Sequence, residues 1–226
     1  MDNRKIYSSY ELQSWLNREH LIKVEEYLIK KYISNHGTLI EAGCGNGRIS
    51  CNIKKIFPKL DIIGFDFVEE MVKTARKRCK NIKFYCLDAT DLSKFKDESF
   101  DYAIYLQQII SLIPYDRIST ALDESYRILK KDGIVIFSFL NYHNRKINYL
   151  LSAILMVFRF FRGEKLKYKQ LPWLKLSGKI NYNFLSKNQA LNYWFSKNEI
   201  IQLLQNKGFS ILEVYNKGML YIVCKK

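Results

Sequence analysis

The stretch Leu39-Ile40-Glu41-Ala42-Gly43-Cys44-Gly45-Asn46-Gly47 constrains this chain more than any other. Apolar residues run into a carboxylate, and three glycines follow at every second position. A helical pattern then begins, with Ile49, Ile53, Ile56 and Phe57 on one face and Pro58 as its stop. A strand, a tight turn and a helix start are thus written in succession, with the turn stripped of side chains. Such a turn lets backbone approach a ligand closely.

The same alternation recurs through residue 140. Thr38–Ala42 predicts a first strand and Asp61–Asp66 a second that ends in a carboxylate. Residues 82–87 predict a third strand leading to Asp88, 100–106 a fourth leading to Gln107-Gln108, and 134–140 a fifth. Between them lie helical faces, one of Val68, Met71, Val72, Ala75 and Cys79, another of Ile118, Ala121, Leu122, Ile128 and Leu129. Asp116 is the expected N-cap of the latter, and Lys130-Lys131-Asp132-Gly133 its expected end. Strand–helix repetition of this kind argues for an α/β fold with a parallel sheet. Upstream, residues 12–33 read as helix with a break at 17–20, where His20 is read as a surface residue. Downstream, 141–195 breaks the pattern. Ser196-Lys197-Asn198-Glu199 has the spacing of a capping box, and 209–215 and 219–224 flank a hairpin-like Asn216-Lys217-Gly218.

The 226 residues fit one domain with an elaborated cap, and 48% apolar content fills a core. The net charge of +15 points to acidic partners, nucleic acid or an anionic membrane surface, or only to a lysine-rich solvated surface. Five cysteines, with no Cys-x-x-Cys pair, read as free thiols in a reducing, cytoplasmic setting. No apolar run follows the first basic residues, so no signal peptide is expected, and no metal site is expected.

The glycine spacing excludes two common phosphate binders. A dinucleotide fingerprint requires Gly-x-Gly-x-x-Gly, and Arg48 stands where its last glycine belongs. No Gly-Lys-Ser or Gly-Lys-Thr follows, which removes a P-loop. Glu41 beside the turn suits a cationic ligand better than a pyrophosphate.

The pattern resembles the first motif of the class I S-adenosyl-L-methionine (SAM) dependent methyltransferases: acidic residue, x, Gly-x-Gly-x-Gly. Asp66 matches the family carboxylate that binds both ribose hydroxyls, a role for which an acceptor-only group is suited. Asp88, with Ala89, matches the position facing the adenine amino edge, and Gln107 the position lining the methionine end. Glu41, Gly43, Cys44, Gly45, Asn46 and Gly47, with Phe67 and Met71, complete the candidate cofactor set. Val68 departs from the small polar residue common two places after the ribose carboxylate. The resemblance implies a Rossmann-like seven-stranded, mostly parallel sheet with one antiparallel strand and helices on both faces, plus an inserted lid after the fifth strand. It divides the chain into an N-terminal helical segment (1–36), a SAM-binding domain (37–140 and 196–226) and a substrate lid (141–195). SAM would leave as S-adenosyl-L-homocysteine.

The acceptor is less constrained. No Asn-Pro-Pro-Tyr, Asp-Pro-Pro-Tyr or Pro-Cys signature of nucleic-acid methylases is present, which favours oxygen or nitrogen of a small molecule, including a sugar or glycan. His143, with Tyr142, follows the fifth strand directly and is the candidate general base; a local loop histidine is the alternative. Tyr7 and Tyr10 are candidates to close over the cofactor. Ile147–Phe161, flanked by Arg145, Lys146, Arg159 and Arg162, fits either a helix buried under the lid or one lying on an anionic membrane. The runner-up reading is an RNA methyltransferase using the aromatic and basic residues between Lys165 and Trp194. A third is a non-catalytic module with a relict cofactor site. Oligomeric state is not legible.

Overall fold

The computed structural model of the protein describes residues 19–165, 167–176, 179–182, 184–186 and 192–226. Its frame is a seven-stranded sheet. The strands are β1 (Thr38–Ala42), β2 (Asp61–Asp66), β3 (Lys83–Cys86), β4 (Phe100–Tyr105), β5 (Leu129–Phe139), β6 (Ser210–Lys217) and β7 (Met219–Lys225). Their spatial order is β6-β7-β5-β4-β1-β2-β3. β1 runs parallel to both β2 and β4, and β4 parallel to β5. β7 alone is reversed, antiparallel to β5 and to β6. The order turns back between β1 and β4, and open α/β sheets form their binding crevice outside the carboxyl ends of strands at such a point.

Period-two alternation assigns each strand residue to one of two cores. Ile40, Ala103, Val135, Phe137 and Ile222 face one layer, which α4 (Ile118–Ile128) and α6 (Lys197–Asn206) cover with Leu122, Ile200 and Leu204. Leu39, Ile104, Ile136 and Val223 face the other. There α1 (Lys23–Tyr32), α2 (Arg48–Ile56) and α3 (Glu69–Arg78) contribute Leu28, Ile29, Ile49, Ile53, Val72 and Ala75. Helices therefore cover both faces, as the alternating sequence implies. Residues 141–195 leave the sheet after β5 and return at α6. They fold around a third cluster of Leu140, Tyr142, Leu151, Leu155, Leu171 and Trp194. This segment is built on α5 (Ile147–Phe161), with Gln170–Leu171 paired to Asn192–Tyr193 and Lys175–Leu176 to Lys179–Ile180.

Four local expectations change. Among the described residues, the N-terminal helix starts only at Lys23; residues 19–22 are the extended end of the expected break, and Tyr7, Tyr10 and the 12–18 part of that helix lie outside the described residues. Asp116 is not an N-cap: it sits in the 3-10 turn Tyr115–Arg117 that leads into α4. Lys130-Lys131-Asp132-Gly133 does not end that helix. The helix stops at Ile128, and these residues form an irregularity in β5, with Asp132 in the left-handed region at φ 64°. Finally, the cysteines are not all thiols. Cys51 on α2 and Cys79 at the end of α3 form a disulfide, their Cα atoms 6.0 Å apart. Their approach is a product of the packing of two helices, which residue spacing does not reveal. Cys86, expected inside, is exposed.

The capping box appears as expected. Ser196 N–H donates to the Glu199 carboxylate at 3.1 Å, and Glu199 also accepts from Lys169 Nζ at 2.7 Å and from the Tyr193 hydroxyl. α6 is thus tied to the insert at its first turn. Ser196→Ala should lower stability by about 1 kcal/mol, or about 2–4 °C in thermal unfolding followed by circular dichroism, and Ser196→Asp should recover most of it. An unchanged midpoint in Ser196→Ala would contradict the capping role.

Candidate active site

All three turn glycines have positive φ, at 63°, 52° and 77° for Gly43, Gly45 and Gly47. A Cβ on Gly43 would lie 2.1 Å from Ile109 Cδ1, so a side chain here would have to displace Ile109 as well as adopt a strained positive φ. A Cβ on Gly45 would meet nothing within 4 Å, because this part of the backbone faces open space. Gly47 faces elsewhere: it begins α2 and packs against Ala75 and Phe84, and it does not line the cleft. Its place in the turn is thus supported by packing.

Two cavities, of about 620 and 940 Å³ and open to solvent, lie side by side at the carboxyl ends of the central strands. They share Gly43, Asp66, Phe67, Ile109 and Leu112, and so form one cleft. Glu41, Cys44, Gly45, Asn46, Met71 and Gln107 line the first half, and Asp88 and Ala89 the second. With the shared residues, every sequence-predicted cofactor residue except Gly47 is brought to this cleft.

Asp66 is the hinge between the halves. Its carboxylate accepts Gly45 N–H at 2.8 Å on one oxygen and Val68 N–H at 3.0 Å on the other. Burial raises its pKa, while these amides pull the other way. The Phe67 amide adds to that pull, and an ionised carboxylate can accept O–H donors besides. Asp88 forms a turn with Thr90, accepting its N–H and its hydroxyl at 2.9 Å, and pairs with Arg117 at 3.1 Å. Asp88 therefore lines the cleft and closes a local turn at once.

The first half of the cleft ends in a buried charged network that the sequence did not announce. Arg48 Nη1 and Nη2 meet the two carboxylate oxygens of Glu25 at 2.8 and 3.1 Å, and Nη1 also donates to His20 O at 2.6 Å. The Gln107 side-chain amide donates to the same carboxylate. Glu25 and Arg48 are both buried. A paired, fully hydrogen-bonded arrangement is the condition under which buried charges are tolerated. Gln107 and Gln108, at the end of β4, both adopt positive φ, a costly conformation for non-glycine residues that concentrates at functional sites. One signal for the network was present: Arg48 opens a helix, where a cation opposes the macrodipole and calls for a specific partner.

Glu41 lies under the turn and is fully buried. It accepts Ser50 N–H at 2.9 Å and the Ser50 hydroxyl. Burial pushes its carboxyl up to about 7, against the pull of Ser50 and of Arg48. Burial likewise holds the Cys44 thiol well above its ordinary value.

The candidate base does not reach this place. Tyr142 is buried in the insert, with its hydroxyl 3.1 Å from Ser152 Oγ, and burial pushes its phenol up to about 12. His143 is exposed and meets the Tyr149 hydroxyl. Neither lines the cleft. The 3-10 turn Tyr142–Asn144, which follows β5, directs them into the base of the insert.

Residues 39–133 match the family model of a methyltransferase domain. A carboxy-S-adenosyl-L-methionine synthase of Sulfurimonas denitrificans is 26% identical over 201 residues, covering 85% of this chain and 77% of its own length. A malonyl-[acyl-carrier protein] O-methyltransferase of Bacillus cereus is 33% identical over 102 residues, covering 44% of this chain and 36% of its own length. Among solved structures, a SAM-dependent methyltransferase of Methanosarcina mazei superposes with a TM-score of 0.68 at 19% identity, covering 92% of this chain and 98% of that one.

Glu41 makes stability depend on pH. Its pKa is raised from 4.5 to about 7 in the folded state, so the native protein holds an extra proton between those values. That contribution is complete below the unfolded pKa and is lost as pH rises through 7. Relative to wild type, Glu41→Gln should flatten the stability profile between pH 5 and 8 by roughly 3 kcal/mol in urea titrations. Parallel profiles for the two proteins would contradict a neutral buried Glu41.

Proposed function

We propose that this chain is a class I SAM-dependent methyltransferase and that its cleft serves methyl transfer to oxygen or nitrogen of a small-molecule acceptor, with a sugar or glycan hydroxyl as the favoured class. The observation that carries the reading is Asp66, a buried carboxylate held by the backbone amides of Gly45, Phe67 and Val68 at the seam of the cleft. The remaining parts of the cleft fit the parts of SAM. Gly45 leaves backbone open to a ligand. Asp88 and Ala89 suit the adenine edge, and Asp66 the ribose diol. Glu41, Arg48 and Gln107 suit the charged methionine end.

SAM supplies a methyl group already activated on a sulfonium sulfur. The chain's own work is therefore alignment and exclusion of water. Ile109, Leu112, Ile113 and Pro114 form an apolar wall over the cleft. We assign 141–195 as the lid on the acceptor side. It reaches this wall where Tyr193 packs on Tyr115, ring centroids 4.5 Å apart, one residue beyond Pro114. A hydroxyl acceptor must lose its proton, and the exposed His143 does not line the cleft where that would happen.

Calorimetry should show SAM binding that Asp66→Ala weakens by at least roughly tenfold, since a hydrogen bond to a charged group is lost. Unchanged affinity would remove Asp66 from the ribose site. With methyl-labelled SAM and fractionated cell extract, label should enter the small-molecule or glycan fraction. Label confined to RNA would favour the nucleic-acid reading instead.

A further inference from the structure

The face of α5 turned away from the protein is not accounted for by the cleft. Asn148, Leu151, Ser152, Leu155 and Arg159 point inward, at the spacing of one helical face. Arg159 is buried and donates to the carbonyls of Lys167 at 3.3 Å and Gln170 at 2.6 Å. The outward face is apolar too. Leu150 is 62% exposed, Val157 57%, and Phe160 and Phe161 81% each, with Ile147 and Ile154 alongside. Isolated exposed apolar residues are ordinary, but a contiguous row along a whole helix marks an interaction surface.

The charge around the row selects the partner. Residues 145–169 hold seven bases and a single acid, Glu164; Arg159 is buried and Lys169 pairs with Glu199, which leaves five around the row, Arg162 of them beside Glu164. Arg145 and Lys146 stand at the start of α5, and Arg162, Lys165 and Lys167 follow its end. An apolar strip bracketed by cations complements a surface with acyl chains below and anionic headgroups above. At 15 residues the helix is about 22 Å long, too short for an apolar core of about 30 Å, and none of the described helices is long and apolar enough to cross a membrane. A helix of this kind lies along the interface.

We infer that α5 is a docking surface for an anionic lipid bilayer, with Leu150, Val157, Phe160 and Phe161 entering the headgroup boundary and the flanking lysines and arginines facing lipid phosphates. The inference does not depend on the acceptor assigned above.

Flotation of the full chain with vesicles tests it. The protein should float with phosphatidylcholine vesicles that contain phosphatidylglycerol, less with phosphatidylcholine alone, and progressively less as salt rises. The double variant Phe160→Ser, Phe161→Ser should lose at least about tenfold in vesicle affinity. Both side chains are exposed, so the variant should keep the wild-type circular dichroism spectrum and SAM affinity. Three results would overturn the inference: no flotation at low salt, equal flotation with neutral vesicles, or wild-type flotation by the double variant. Light scattering that shows a dimer abolished by the double variant, without vesicle binding, would assign the face to a second copy of the chain.

Discussion

The hydrogen bond from Gly45 N–H to Asp66 is the contact on which the rest of the site depends. It joins the turn after β1 to the end of β2, two neighbours in the sheet. Parallel pairing brings these ends together because Ala42 lies opposite Phe65. The positive φ values of Gly43 and Gly45 then turn the chain out of the strand, which places the Gly45 amide on Asp66. A side chain at Gly43 would drive into Ile109 and displace the wall of the cleft. Turn, carboxylate and wall thus form one mechanical unit.

A second constraint acts from the opposite end. Glu25, on a helix that precedes the sheet, reaches Arg48 and Gln107, which follow β1 and β4 respectively. Three segments distant in sequence converge on one buried carboxylate. Removing one partner would leave an uncompensated buried charge, a larger penalty than the ion pair's own net worth. The network therefore couples the position of α1 to the shape of the cleft where it accepts Arg48 and Gln107.

Much of this was legible from residues alone. Period-two and helical patterns located the seven sheet strands, because buried parallel strands and amphipathic helices carry strong local signals. The glycine spacing and the carboxylates at strand ends located the cleft, since those residue types answer local backbone and hydrogen-bonding needs. What escaped depended on tertiary packing. Glu25 looks like any helix surface acid until α1 is placed on α2. Cys51 and Cys79 look like core thiols until α2 and α3 meet. Gly47 belongs to the motif by spacing, yet it answers to Ala75 and Phe84. His143 follows the fifth strand, as a ligand-binding residue often does, but the turn at Tyr142 carries it into the insert. Local sequence does not encode where such a turn points.

The central claim is that the seam at Asp66 holds the ribose of SAM, with the nucleobase on the Asp88 side and the amino-acid portion toward Gln107. A crystal structure grown with S-adenosyl-L-homocysteine tests this most directly. The account predicts both ribose hydroxyls within hydrogen-bonding distance of the Asp66 carboxylate and the homocysteine amino and carboxyl groups beside Glu41, Arg48 and Gln107. A ligand bound in the opposite orientation, or bound outside the cleft with Asp66 touching only the chain's own amides, would contradict it.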